Sequence, residues 1–502
     1  MSRSTISEIP TRVKNKEKPD FAGDYILERV VLTNHVGFKV DVKHIMIELN
    51  IYESIYKNAI TGSIVIGDEG NQIARMSVQG LEKVAFHLKT PGVAYGREDV
   101  VDASEETGEP YHIYKITNRK QLTPGALVYT LHFASREFMR NIRTKVSQAY
   151  DGKYDRAVID IMKDKDYLDS RKKLHYEPTG NANKFVVPNL NPFAAINMIA
   201  KRSVAEKSNG VGYYFYETTT GYHFRTWQSM ITSQGNFARP PKQQFYYQQL
   251  KMDSDPASTK QDKIERAYQS VDSYEFINNF HDVAANTVLG TYGHRVISHN
   301  LFDKSYDISD YNFHNEYRKT PHLDTVESNS INKFPVMDTP VDYDNADNVS
   351  DYPESRVSLQ TTSPFLHDKD VGNYGLDADI DGEKIGQGIS QTNQVVNGTA
   401  LKMTVKGQSY LQSGDLIRFN LKDVNSADTD NDDDPRFSGN YIITKIRHQV
   451  TKDKYLMILE CAKDSVATSY GDLHRGVSLH GAVNKTSRKS IELEEIDGNI
   501  YT

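Results

Sequence analysis

Clustered oxygens are the first place where this chain could do chemistry. Asp377-x-Asp379-x-Asp381-Gly382 opens like a calcium loop, in which alternating carboxylates and a tight glycine turn gather oxygens around the ion. The twelfth position of such a loop is Gly388 and not glutamate, so its strongest, bidentate ligand is missing. An ordinary polar turn is therefore expected at Asp377, Asp379 and Asp381. The densest acidic run, Asp428, Asp430, Asp432, Asp433 and Asp434, is followed by Pro435 and lies between two strand patterns. Like charges so close together repel, which predicts a solvated hairpin loop. His294, His299, His314 and His322 are too loosely spaced to imply one site and read as surface or strand-end residues. The chain has no His-Glu-x-x-His, nucleophile elbow, P-loop or paired-glycine fingerprint. No catalytic, cofactor or metal residue is assigned.

The bulk composition excludes further classes. The formal net charge is −7, from 60 basic and 67 acidic residues in intermixed order, so no basic footprint for phosphates is expected. The basic cluster from Arg12 to Lys18 reads as a frayed arm. A single cysteine, Cys461, rules out an intrachain disulfide, and its place in Tyr455-Leu-Met-Ile-Leu-Glu-Cys461 is that of a small core residue on a strand. The longest apolar stretches, such as Phe193 to Ala200, are far short of a bilayer span. No apolar core follows the N-terminal charges, so neither membrane insertion nor a cleaved secretion signal is expected.

Several elements must carry these residues. From Tyr25 to Ala134 the pattern has period two, clearest in His44 to Tyr52 and Ser63 to Ile66, with Thr123-Pro124-Gly125 as a turn. A helix is expected from an Asn191 cap and Pro192, with Phe193, Ile196, Ala200 and Val204 on one face. Tyr154, Val158, Ile161 and Met162 mark another helix. A hairpin through Thr218 to Gly221 is expected between Gly212–Glu217 and Tyr222–Trp227. Tyr213, Tyr214 and Tyr216 are placed to pack either within that sheet or between protomers. Residues 303–395 are poor in aliphatic side chains and predict an extended excursion with little core. The expected organisation is an arm (1–20), a first β-barrel (21–150), a small α+β domain (151–240), the early part of a second β-barrel (241–300), an insertion (301–395), the late part of that barrel (396–465) and a polar tail (466–502).

One pattern occurs twice, in the same order. Glu82-x-Val84-x-Phe86-x-Leu88, Tyr111-x-Ile113-x-Lys115-Ile116 and Leu127-x-Tyr129-x-Leu131-x-Phe133-Ala134 form the first copy. The second is Asp415-x-Ile417-x-Phe419-x-Leu421, Tyr441-x-Ile443-x-Lys445-Ile446 and Tyr455-x-Met457-x-Leu459-x-Cys461-Ala462. Each block alternates, so one face packs inward. A fainter echo matches Tyr52-Glu53-Ser54-Ile55 and Gly62 to Tyr274-Glu275-Phe276-Ile277 and Gly290. The predicted fold is mainly β with α+β insertions: two related antiparallel barrels, the second split in sequence.

With these residues in hand, the chain resembles the central baseplate hub proteins of T-even-like contractile phage tails, which are related to the hub half of type VI secretion VgrG spike proteins. The resemblance is carried by Leu49-Asn-Ile-Tyr-Glu-Ser-Ile55, Ile60-Thr-Gly-Ser-Ile-Val-Ile66, Asn191-Pro-Phe-Ala-Ala-Ile196, Gly212 to Thr226, Ser413-Gly-Asp-Leu-Ile417 and Gly439 to His448. It covers most of residues 25–465 and includes no catalytic signature. It implies a non-enzymatic homotrimer in the virion tail baseplate, made in the bacterial host cytoplasm. Three chains would present six barrels, adapting a sixfold tail tube or tube initiator above to a threefold central spike below, with wedge proteins around and DNA passing through the lumen without specific binding. Two other readings follow from the residues: the hub part of a bacterial contractile injection system, or a tail-associated cell-wall or capsule hydrolase. The latter needs two carboxylates about 5 to 10 Å apart in a groove.

Overall fold

The computed structural model describes residues 19–69, 78–91, 100–105, 109–123, 126–180, 182–208, 210–232, 239–247, 259–278, 282–300, 304, 306–317, 319–324, 347–362, 382–422, 433–434 and 436–466. The first unit contains β1 (Ile26–Thr33), β2 (Lys39–Asp41), β3 (Met46–Ser54), β4 (Thr61–Glu69), β5 (Lys83–Lys89), β6 (Val100–Asp102), β7 (Tyr111–Thr123) and β8 (Ala126–Ala134). An α+β domain follows: α1 (Arg136–Arg143), β9 (Val146–Lys153), α2 (Tyr154–Lys163), β10 (Leu174–Tyr176), β11 (Ala182–Leu190), α3 (Pro192–Ala200), β12 (Tyr213–Thr218), β13 (Gly221–Thr226) and α4 (Trp227–Ile231). The second unit begins with β14 (Gln243–Tyr247), α5 (Lys260–Gln269) and β15 (Val271–Asn278). An insertion then carries α6 (Val283–Val288), β16 (Gly293–Asn300), β17 (Tyr306–Asn312), α7 (Phe313–Tyr317), a 3-10 turn (Pro353–Ser355), β18 (Val357–Thr362) and α8 (Gly382–Asn397). The second unit resumes with β19 (Thr399–Lys406), β20 (Leu416–Leu421), β21 (Gly439–Thr451) and β22 (Tyr455–Lys463).

The architecture is mainly antiparallel β, as the alternation predicts. The first unit runs β3-β4-β8-β7-β5-β1 and the second β15-β19-β22-β21-β20-β14, one order used twice. The difference is at the end of each: β1 is antiparallel to β5, whereas β14 is parallel to β20. The two units join where β21 pairs with β3, giving one sheet of fourteen strands. Both expected units are thus present within one joint sheet. Among the described residues no strand ladder closes either unit, and the two ends of the second meet at one bridge, Tyr246 with Ser270. One core runs through both units, from Leu27 and Phe133 to Phe245 and Cys461. Period two is plain in β22, where Tyr455, Met457, Leu459 and Cys461 point inward.

Between the units, both predicted helices and the hairpin form, and β9 spans the expected boundary at residue 150. Asn191 is the N-cap residue of α3, but its side chain makes no cap bond. Asn141 from α1 replaces it, its Oδ1 accepting from the Phe193 N–H at 2.8 Å. Val204 is buried but lies beyond the end of α3. Tyr213 stacks on Phe224, Tyr214 meets Tyr56 edge-on and Tyr216 is buried, so all three pack within the chain.

The insertion is not the coreless excursion that its aliphatic content suggests. Tyr292, Tyr311, Phe313 and Tyr317 form an aromatic core beside the sheet β17-β16-β18, and α8 lies across β16 and β17. Aromatic rings supply the buried area that Leu, Ile and Val supply elsewhere. Residues Gly382 to Gly388 begin α8, so the second half of the calcium-like segment is helical and cannot wrap an ion; Asp377, Asp379 and Asp381 lie outside the described residues.

Candidate assembly interface

Duplication extends below strand order to the irregularities. In the first unit β7 bulges against β8 between Ile113 and Lys115; in the second β21 bulges against β22 between Ile443 and Lys445. The ladder β3·β4 skips between Met46 and Glu48, and β15·β19 between Val271 and Ser273. A bulge re-aims a strand at one residue, so coincident bulges show that the two backbones bend at the same places.

The loop before β5 recurs before β20. Glu82 accepts the Gln79 N–H at 2.6 Å, and Asp415 accepts the Gln412 N–H at 3.0 Å. Leu81 (φ 66) and Gly414 (φ 88) both take the left-handed conformation, and each donates its N–H to the β7 or β21 equivalent, Ile113 or Ile443.

Opposite residues also trade size. Gly62 faces Phe133 across β4 and β8, and a Cβ on Gly62 would fall inside the Phe133 ring. At the matching place Leu401 faces Cys461. The counterpart of Gly62 is therefore Leu401 and not Gly290, which lies in the insertion after α6. The echo at Tyr52 belongs to the right strand but is out of register. Leu49 lies opposite Ile64 as Tyr274 lies opposite Met403, so Tyr274 matches Leu49.

The two units meet head to tail, with Lys445 opposite Ser54 through Thr451 opposite Glu48. Across this seam Arg447 donates to Asn50 Oδ1 (2.8 Å) and Glu48 Oε1 (3.0 Å), and Gln449 donates to Glu48 Oε1 (2.8 Å). Buried Glu53 fastens the seam from within. Its Oε1 lies 3.6 Å from His448 Nε2 and accepts the Thr219 N–H at 3.3 Å, while its Oε2 accepts the Ser413 N–H at 3.2 Å. One carboxylate thus ties the first unit to the second and to the turn of the α+β hairpin. His448 Nδ1 in turn shares a hydrogen bond of 2.6 Å with the Tyr455 hydroxyl. The sequence signal was a lone acid inside the strand pattern Leu49 to Ile55, where a buried charge needs partners.

A second ionic cluster fixes the α+β domain to the first unit. Lys172 bridges Glu137 Oε2 (2.9 Å) and Glu217 Oε1 (2.5 Å), and Glu217 Oε2 accepts the Ile60 N–H at 2.8 Å. Burial raises the Glu217 carboxyl, whereas for Glu137 the attraction of Lys172 and hydrogen bonds from Ser170 and Lys172 outweigh burial and hold it low. Lys172 is pushed up because the pull of the two carboxylates outweighs its burial. These carboxylates share one cation in the interior, with side chains 0% and 1% exposed, and so present no groove to a polysaccharide.

The remaining candidates are dispersed. His294 is buried at the start of β16, a strand-end place as expected, whereas His322 is buried beyond α7, which corrects its surface or strand-end reading. His322 Nδ1 lies 2.9 Å from Asp464 Oδ2 and its ring stacks on Tyr317, fastening the insertion to the end of β22. His314 Nδ1 meets Ser350 Oγ at 2.5 Å, and His299 is half-buried in β16. Asp434 accepts the Arg436 and Phe437 N–H groups between β20 and β21, Asp433 pairs with Lys422, and Asp428, Asp430 and Asp432 lie outside the described residues. Among the described residues no three His, Cys, Asp or Glu side chains gather to hold a metal ion, and no helix is long and apolar enough to cross a membrane. Cys461 is buried, which pushes its thiol up.

No family model and no curated protein matches the chain. Among solved structures it is similar to the tail protein from Neisseria meningitidis MC58, at TM-score 0.46 and 10% identity, covering 88% of this chain and 97% of that one. It is similar to the 43 kDa tail protein of prophage MuSo2 from Shewanella oneidensis at TM-score 0.46 and 8% identity, covering 87% and 98%. A third is an E. coli component of the type VI secretion system described as structurally similar to T4 bacteriophage tail proteins gp27 and gp5, at TM-score 0.40 and 8% identity, covering 89% and 78%.

Proposed function

We propose that this chain is a structural hub of a contractile tail, a homotrimer in which three chains present six like sheet units. The observation that carries the reading is the head-to-tail joining of two units with one strand order and coincident bulges. A heterologous contact repeated between like units closes into a ring when its rotation permits, and doubling the unit within a chain lets three chains imitate six. The insertion interrupts only the second unit, between β15 and β19, so a ring of six such units keeps threefold symmetry. One face can then meet a sixfold tube while the inserted domains serve a threefold spike, with wedge proteins around the rim.

On this reading the chain is not an enzyme and belongs in the baseplate of a virion tail. The net charge of −7 suits a lumen through which DNA passes without sticking, because like charges repel. Native mass measurement of the purified protein, alone and with its spike partner, tests the proposal. A species of three chains of 57.0 kDa is expected, and a monomer under both conditions would overturn it.

A further inference from the structure

The chain uses the β21–β3 seam once, yet its duplication displays both halves of that seam a second time. The counterpart of β21 is β7, and the counterpart of β3 is β15. They stand apart on the sheet path, with β19, β22, β21, β3, β4 and β8 between them. On the side where β21 receives β3, among the described residues β7 is bonded only as far as Ile113, to the segment around Leu81 and Glu82. On the side where β3 receives β21, the last strand contact of β15 among the described residues is the bridge at Ser270, just before the strand begins.

Each of these edges carries an exposed isoleucine. Ile446 at the seam is 2% exposed, whereas its equivalent Ile116 is 41% exposed. Ile277, the extra residue where β15 bulges between Phe276 and Asn278, is 51% exposed. Charge is complementary as well: the free half of β7 carries Lys115, Arg119 and Lys120, and β15 carries Glu275, while its Asp272 is paired with Lys406 at 2.7 Å. Edges left unpaired in this way are templates for another chain.

We infer that the free half of β7 in one copy pairs antiparallel with the outer edge of β15 in a second copy, in the register of the β21–β3 seam. This rests on the ring reading above and names the contact that closes it. The register follows from the ladders. Lys120 lies opposite Val128 as Gln449 lies opposite Leu456, and Asn118, with φ 55, sits where β7 takes up its extra residue. Glu275 lies opposite Lys402 as Asn50 lies opposite Ser63. Since Gln449 faces Asn50 across the seam, Lys120 faces Glu275 across copies. Gln121 then faces Tyr274, and Thr117 faces Asn278.

Paired cysteines test this register in the full chain. Opposite residues of an antiparallel pair have Cα atoms about 4.5 to 5.5 Å apart, within the reach of a disulfide. Native Cys461 is buried and does not compete. Mild oxidation of K120C/E275C is expected to give covalent dimers and trimers on a non-reducing gel, with neither single variant giving a trimer. Charge reversal supplies a second readout: K120E or E275K alone is expected to weaken self-association roughly fivefold per contact, and the double reversal to restore it. A trimer by native mass that neither cross-links nor responds to charge reversal would overturn this pairing and leave the hub standing. A monomer throughout would overturn both.

Discussion

If the two units share one backbone, an opposed pair of residues should transplant from one to the other. Gly62 and Phe133 in the first unit correspond to Leu401 and Cys461 in the second, and all of Leu401, Cys461 and Phe133 are buried. Gly62→Leu alone drives a side chain into the Phe133 ring, and overpacking of this kind costs about 3 kcal/mol, the upper end of the usual span. Phe133→Cys alone removes a ring that packs against Phe86 and Tyr111 at centroid separations of 6.1 and 5.0 Å, and truncating a buried Phe costs about 3 kcal/mol or more. Independent effects would sum to about 6 kcal/mol. In Gly62→Leu/Phe133→Cys the leucine fills the space that the ring leaves, but its Cβ still meets the Asn50 carbonyl oxygen at 2.5 Å, so β3 must shift; that shift and the loss of two aromatic contacts cost about 4 kcal/mol in all. The expected coupling is therefore about 2 kcal/mol in favour of the double variant. Amide hydrogen exchange along β4 and β8 reads it locally, avoiding the assumption of a single unfolding step in a chain of several domains. A double variant no better than the sum of its parts, within about 0.5 kcal/mol, would refute the equivalence of the two sites.

Other consequences can be checked separately. Glu53→Ala leaves the Thr219 and Ser413 N–H groups without their shared acceptor and removes the carboxylate beside His448, so a loss of about 3 kcal/mol is expected, visible as faster exchange in β3 and β21 together. Lys172→Met strands Glu137 and Glu217 in the interior and should cost a similar 3 to 5 kcal/mol, whereas Glu217→Gln, which imitates the protonated form that burial favours, should cost clearly less in thermal melts at neutral pH. Burial acts to raise the Asp464 carboxyl, but His322 and the Leu323 N–H hold it below the ordinary range. The folded state thus binds fewer protons than the unfolded chain, and the stability this confers is present above about pH 4 and lost as pH falls through the depressed value. Asp464→Asn should lower the melting temperature at pH 7 and flatten its acid-side slope, and an unchanged slope would contradict that assignment. Incubation with peptidoglycan should release no fragments, and sustained release would contradict a purely structural role.

Much of the fold could be read from the residues because inward-facing positions repeat with the period of a strand. The three blocks around Phe86, Ile113 and Phe133 match those around Phe419, Ile443 and Cys461 in register, including bulges that no alternation reveals. The early strands were harder. The insertion separates β15 from β19, and the exchange of Gly62 for Leu401 removed the glycine that would have marked the match. The insertion hid its core because it packs tyrosine and phenylalanine where aliphatic residues are usually counted. The burial of His294, at the start of β16, and of His322 was not legible because spacing alone says nothing of burial, which for His322 depends on Asp464, distant in the chain. The cap of α3 passed to Asn141, a tertiary contact that a local motif cannot foresee.

The seam carries the functional weight, since one contact between like units, repeated, builds the particle proposed here. The most direct measurement is an averaged end-on image of the purified assembly. Six equal lobes around a central opening, with extra density from the insertion at alternate positions, is the expected view. Any other number of lobes, or a population that stays monomeric at all concentrations, would contradict the account.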